Sequence, residues 1–135
     1  MANWILKTEP STYSFDRLQA ERTAVWDGVT NPVALKHLRS MRKGDALMIY
    51  HTGDEKQVVG LAEVASEPYA DPKGKDARLV VVDVKAKARL PRAVPLAAIR
   101  AERAFADLAL VRMPRLSVVP ATDAQWAELL KLGGM

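Results

Sequence analysis

The sequence predicts an α+β domain built on a curved or barrel-like, mostly antiparallel β-sheet with helices near both ends. Three observations carry this. Strand-like runs outnumber helical ones in the middle of the chain. Residues 82–90 alternate strictly, with Val82, Val84, Ala86, Ala88 and Leu90 inward and Asp83, Lys85, Lys87 and Arg89 outward. Capping signals at Ser14 and Thr122 place helices toward the two ends. Helices segregated from an antiparallel sheet make an α+β layout.

In chain order, Trp4-Ile5-Leu6 reads as a first strand that ends in the polar turn Lys7-Thr8-Glu9-Pro10. Ser14 caps a short helix through Leu18, its side-chain oxygen accepting an orphan backbone N–H. Asn31-Pro32 opens a second helix, because proline at the first helical position gives up an N–H that has no partner there. Ala34, His37, Leu38 and Met41 share one face of that helix, while Lys36, Arg39 and Lys43 line another. Gly44-Asp45 stops it and leads into a β run from Ala46 to Tyr50.

A hairpin follows, turning at Gly53-Asp54-Glu55 and returning along Val58 to Val64, with Gly60 inside the strand. Beyond a Pro/Gly-rich loop at 68–76 comes the longest strand, Leu79 to Leu90. Pro95 opens a helix around Leu96–Arg100, and a further helical turn includes Phe105 and Leu108. Leu116-Ser117-Val118-Val119 is another strand. Thr122-x-x-Gln125 is a capping box for the last helix, where Trp126, Leu129 and Leu130 are core-spaced and Gly133 ends the run.

Composition bounds the function. A chain of 135 residues, 49% hydrophobic and 27% charged, is expected to form a single soluble domain spanning 1–135 with a sizeable core. No window approaches the roughly 18 consecutive apolar residues of a membrane span. The start Met1-Ala2-Asn3-Trp4 lacks the basic and then apolar regions of a signal peptide, so a cytoplasmic protein is expected. The absence of cysteine excludes disulfides, thiol chemistry and Cys-based zinc sites. Lys+Arg number 20 against 16 Asp+Glu, a net charge of +4, which permits a polyanion partner.

The segment Val25-Trp26-Asp27-Gly28-Val29-Thr30-Asn31 puts an aromatic, an acid, a glycine and an amide within seven residues. A flat, hydrogen-bonding ligand such as a nucleobase can stack on an indole and be read by an amide that both donates and accepts. The same residues also fit a tryptophan plugging the core beside an Asn/Gly turn.

In company with other segments, this one resembles the EVE domain family, a branch of the PUA-like superfold that includes the thymocyte nuclear protein family. The matching segments begin with Trp4-Ile5-Leu6-Lys7-Thr8-Glu9-Pro10, Tyr13-Ser14-Phe15, Trp26-Asp27-Gly28-Val29-Thr30-Asn31 and His37-Leu38-Arg39-Ser40-Met41. Gly44-Asp45, Tyr50-His51, Val59-Gly60-Leu61-Ala62-Glu63-Val64, Tyr69-Ala70-Asp71-Pro72 and Arg115-Leu116-Ser117-Val118-Val119-Pro120 follow in the family's order. The resemblance implies a PUA-like, mostly antiparallel β-barrel flanked by helices, with a pocket between barrel and helices. It also implies a non-catalytic domain that reads a modified base in DNA or RNA, similar in fold to the YTH readers. This chain departs from the family pattern at Pro32, Lys36 and Pro114, and at Arg78-Leu79-Val80, where many members carry an aromatic.

On that reading Trp26 is the stacking wall. Asn31, Lys7, Thr8 and Ser117 supply edge recognition, and Gly28, Val29, Tyr50 and His51 complete the pocket. Stacking on an aromatic is worth about 1–3 kcal/mol per base, and burying one methyl adds about 1 kcal/mol. Much of the affinity must therefore come from phosphates. The candidates are Lys36, Arg39 and Lys43 on a helix face, the strand stripe Lys85, Lys87 and Arg89, and Arg115, which could equally pair with Asp45 or another acid.

Two other readings stand beside this one. Lys7 and Thr8 with Glu9 or Glu63 imitate the lysine, threonine and carboxylate set of PUA-like relatives that hydrolyse modified nucleosides, although residues 7 and 8 of a strand should face opposite ways. A small-metabolite or protein-interaction domain could use the same pocket. His37 on the apolar helix face reads as a hydrogen-bonded, semi-buried histidine, and Trp4 and Trp126 read as core. Two histidines far apart make no case for a metal, and no cofactor is expected.

Overall fold

Most elements form near where the capping and alternation signals place them, with shifted ends: the strand expected over 116–119 lies at Val118–Ala121, and the one expected over 79–90 runs Val80–Pro95. The structure is a computed structural model and describes residues 2–74 and 76–135; Met1 of the amino-terminal stretch and Lys75 of the 68–76 loop lie outside it. β1 (Asn3–Thr8) leads to α1 (Phe15–Glu21), whose cap Ser14 accepts the N–H of Arg17. β2 (Thr23–Trp26) precedes α2 (Pro32–Ser40), where the Asn31 side chain accepts the N–H groups of Val33 and Ala34. β3 (Ala46–His51) and β4 (Gln57–Val64) make the hairpin, and the two-residue β5 (Tyr69–Ala70) precedes β6 (Val80–Pro95). α3 (Leu96–Arg100), a 3-10 turn (Arg103–Phe105), α4 (Ala109–Arg112), β7 (Val118–Ala121) and α5 (Asp123–Leu132) complete the chain. The Thr122/Gln125 capping box is present in full, and Gly133 caps the other end of α5.

Seven strands form one sheet in the order β2-β6-β4-β3-β1-β7, with β5 beside β6. Every pairing is antiparallel except β1 with β3. The expected barrel is corrected here. β2 and β7 are the two ends of the path and do not pair, so the sheet curves without closing.

Three sequence expectations change for identifiable reasons. β2 and β5 are strands that the alternation did not reveal, because four and two residues are too short to show a period. Lys43 is not on the helix face of Lys36 and Arg39, since Met41 turns to ψ 153° and ends α2 at Ser40. Ala88 is exposed although Val82, Val84 and Leu90 are buried. β6 slips register against β4 between Leu61 and Ala62, where Leu61 faces Ala88 and Ala62 faces Ala86, and a bulge of this kind re-aims the side chains that follow.

The core runs through the inner face of the sheet and the helices against it. Phe15, Leu18, Leu38, Ile49, Val58 and Phe105 are fully enclosed. Trp4 is buried, and its indole Nε1–H donates to Asp45 Oδ2 at 3.1 Å. Asp45 also accepts the N–H of Ala2 at 3.2 Å and of Arg42 at 3.0 Å. It therefore serves Trp4 and the turn after α2 rather than Arg115. Trp126 and Leu130 are half-buried and pack against the core from α5, beside the buried Leu129.

Candidate functional site

The unclosed edge of the sheet frames a cleft of about 880 Å³. One side is the carboxyl end of β1, with Lys7 and Thr8, together with Ser117 just ahead of β7. Lys7 N–H donates to the Ser117 carbonyl at 3.0 Å, which ties these two segments together. The other side is β2 with Trp26, followed by Gly28 and Val29. Gly28 adopts φ +79°, a conformation that suits glycine, and nothing lies within 4 Å of where a Cβ would stand.

α1 and the residue ahead of its cap supply a wall that sequence reasoning missed: Tyr13, Arg17 and Glu21. Their spacing of four was the available signal. The Tyr13 hydroxyl donates to Glu21 Oε1 at 2.5 Å, and the Arg17 guanidinium sits 5.2 Å from the Tyr13 ring centroid. Burial first, and then the bond to Glu21 and its charge, push the Tyr13 phenol well above its usual range, so it stays a donor. The Tyr13 ring meets Trp26 edge to face, with centroids 6.1 Å apart and planes at 85°. Trp26 itself is 7% exposed and forms the floor. Thr8 Oγ1 donates to the Tyr13 carbonyl at 2.8 Å, tying the end of β1 to this wall.

Lys7 Nζ donates to the Pro114 carbonyl at 2.9 Å, and burial lowers the ammonium pKa from its ordinary value. The structure thus brings Lys7, Thr8, Trp26, Gly28, Val29 and Ser117 to one cleft. Three other expected pocket residues lie elsewhere. Asn31 spends its Oδ1 on the amino end of α2, at 2.9 Å from Val33 N and 3.1 Å from Ala34 N. It borders a separate depression with Val33, Met113 and Arg115. Tyr50 lines a second cavity that also touches Lys7. His51 is buried: its Nε2 accepts the Phe15 N–H at 3.0 Å, and its Nδ1 faces Glu55 Oε1 at 2.9 Å. An acceptor at Nε2 makes this the Nδ1–H tautomer, with both ring nitrogens engaged.

The expected phosphate-binding cations divide by partner. Lys87 pairs with Glu63 at 3.1 Å, Arg89 pairs with Asp16, and Arg39 donates to the Arg78 carbonyl. Lys36, Lys43, Lys85 and Arg115 are exposed. Of the hydrolase set Lys7 and Thr8 both line the cleft, although neighbouring strand residues were expected to face opposite ways, and neither Glu9 nor Glu63 lines it. Lys7 is bonded to Pro114, Thr8 to Tyr13 and Glu63 to Lys87, while Glu9 accepts the Ser11 N–H and hydroxyl. His37 packs on Trp4 at 5.6 Å between ring centroids. Among the described residues no cluster of His, Asp or Glu could hold a metal ion, and no helix is long and apolar enough to cross a membrane.

Comparison with known proteins agrees with this fold. Human thymocyte nuclear protein 1 is 27% identical over 165 aligned residues, covering 97% of this chain and 73% of that protein. A Rhodopseudomonas palustris protein solved by NMR is 41% identical with a TM-score of 0.94, covering 99% of this chain and 94% of that one. The structure of human THYN1 protein in complex with 5-methylcytosine containing DNA is 25% identical with a TM-score of 0.92, covering 100% of this chain and 99% of that one. The EVE domain matches residues 2–132, and this chain belongs to the EVE domain family.

Proposed function

We propose that the cleft on Trp26 receives a modified nucleobase of DNA or RNA, and that the protein is a reader of such bases. The observation that carries this is the cleft itself: an aromatic floor and wall, Trp26 and Tyr13, faced by the polar groups of Lys7, Thr8 and Ser117 across an open sheet edge. Apolar surface with a few convergent polar groups is what a base needs for contact and edge readout. The likeness to a human protein crystallised with 5-methylcytosine containing DNA supports the same class of ligand. A base must leave its stack or come from a single strand before its edges and added methyl can be read in such a cleft.

The test is titration with single-stranded and duplex oligonucleotides carrying cytosine or 5-methylcytosine, and with matching RNA. The modified strand should bind more tightly than the unmodified one. Trp26→Ala should cost roughly 5- to 160-fold, in line with about 1–3 kcal/mol per stacked base, while Trp26→Phe should retain most of the affinity. Equal affinity for modified and unmodified strands, or binding unaffected in a folded Trp26→Ala protein, would sink the assignment.

A further inference from the structure

A second cavity, of about 300 Å³, shares Lys7 with the Trp26 cleft. Its polar lining is Lys7, Tyr50, Thr52, Lys56 and Arg100, and no carboxylate lines it. Among the described residues none of the three cations has an acidic partner, in contrast to Lys87 and Arg89 on the strand stripe. Lys7 spends one of its three N–H donors on Pro114, leaving two.

Tyr50 supplies the observation that points to a ligand. The residue is 4% exposed, yet its hydroxyl has no hydrogen-bond partner among the described residues and is not an enclosed unsatisfied atom. Its oxygen therefore borders the cavity. Burial holds the phenol above its ordinary pKa, so it presents a donor. Lys56 adopts φ +48°, an unfavourable conformation for a non-glycine residue, and its carbonyl is fixed by the Leu96 N–H at 2.8 Å. One acid, Glu9, touches the rim: its Oε2 lies at Gly53 and accepts the Thr52 hydroxyl at 3.4 Å, while its Oε1 accepts the Ser11 N–H and hydroxyl.

We propose that this cavity is a phosphate subsite that takes the phosphodiester group next to a base held in the Trp26 cleft; the assignment of the phosphate to a nucleic-acid strand rests on the base-reading function. Three cations and a phenol donor converge on a concave surface with apolar walls at Leu96 and Leu110, where charge attraction is screened less than on an open face. Lys7 lines both sites, so a single nucleotide could engage both at once.

The experiment maps backbone amide shifts by NMR, first with inorganic phosphate. It then compares 5-methyl-2′-deoxycytidine with its 3′- and 5′-monophosphates and with an oligonucleotide. Phosphate should move the amides of Thr52, Gly53 and Lys56, and a Lys56→Gln/Arg100→Gln double variant should abolish those shifts. One of the nucleotides should bind at least tenfold more tightly than the nucleoside, and in the double variant that ratio should fall toward one. Amides unmoved by phosphate, or shifts retained in the double variant, would overturn the subsite. Nucleoside binding with no gain from either phosphate would overturn it while leaving the base-reading function intact. Phosphate shifts without any nucleoside binding would keep the anion site and remove the base-reading function. Inorganic phosphate binding as tightly as the oligonucleotide would make the free anion the ligand and overturn the phosphodiester assignment.

Discussion

Tyr13 stands edge-on to Trp26, with ring centroids 6.1 Å apart and planes at 85°, and its own hydroxyl is held by Glu21. The pair fixes the orientation of the indole at the floor of the cleft, because an edge-to-face contact constrains both rings. Removing the Tyr13 ring takes this contact and one wall of the cleft away from the indole. Tyr13→Ala should weaken binding of a modified oligonucleotide by about 1 kcal/mol, close to the worth of one aromatic pair, whereas Tyr13→Phe should fall between it and the wild type. Isothermal titration of the three proteins checks the order.

Gly60 and Phe15 make a second dependence, this one in the core. A Cβ on Gly60 would stand within 2.6 Å of Phe15 Cε1, and the ring is fully enclosed with no room to retreat. The bulges on either side of Gly60 set this approach. Gly60→Ala should therefore destabilise the protein by about 1–3 kcal/mol through overpacking. Gly28→Ala is the contrast, since a Cβ there meets open space and only the φ of +79° is strained. Urea midpoints of both variants against wild type give the comparison.

How far the sequence could be read depended on signal length. α2 and α5 were legible because Pro32 opens the one and Thr122 caps the other, both through local geometry. β2 was not, because Thr23–Trp26 is an edge strand too short to alternate, and its last two residues, Val25 and Trp26, read instead as the start of a ligand-binding segment. The segment proved to be both strand and cleft wall. Lys7, Thr8, Trp26 and Ser117 come from three strands or their ends, so their meeting rests on tertiary pairing that only the family resemblance could indicate. The same limit hid the fate of Asn31 and His51. Both are polar residues beside the expected pocket, and both are consumed by backbone N–H groups nearby.

Asp45 is expected to be a stability residue with no part in binding. It is buried and accepts three N–H groups, from Ala2, Trp4 and Arg42, so it pins β1 to the turn that follows α2. Asp45→Ala should cost about 3 kcal/mol, because buried donors are left without an acceptor. Trp4→Phe should cost about 1 kcal/mol through the lost indole bond, leaving the carboxylate its two backbone partners. Since both variants remove the same Trp4–Asp45 bond, their combined cost should be less than the sum. A double-mutant cycle in urea measures that shortfall.

His37 sets a pH dependence whose sign follows from its surroundings. Burial first, and then the positive charge of Lys36, lower its pKa from the ordinary 6.5. The unfolded chain therefore takes up the proton at a higher pH than the folded one does. Through that window the unfolded state holds more protons, so stability falls as pH drops below 6.5 and levels off below the folded pKa. One group changes stability by at most about 1.4 kcal/mol per pH unit, and the partial exposure of His37 keeps the effect below that ceiling. Glu55, whose pKa is lowered from 4.5 chiefly by its bond to His51, acts only at more acidic pH. His37→Asn should flatten the stability curve between about pH 7 and 5 relative to wild type. His51 is present in both proteins, so the difference between the two curves isolates residue 37. Parallel curves would show that His37 carries no such coupling.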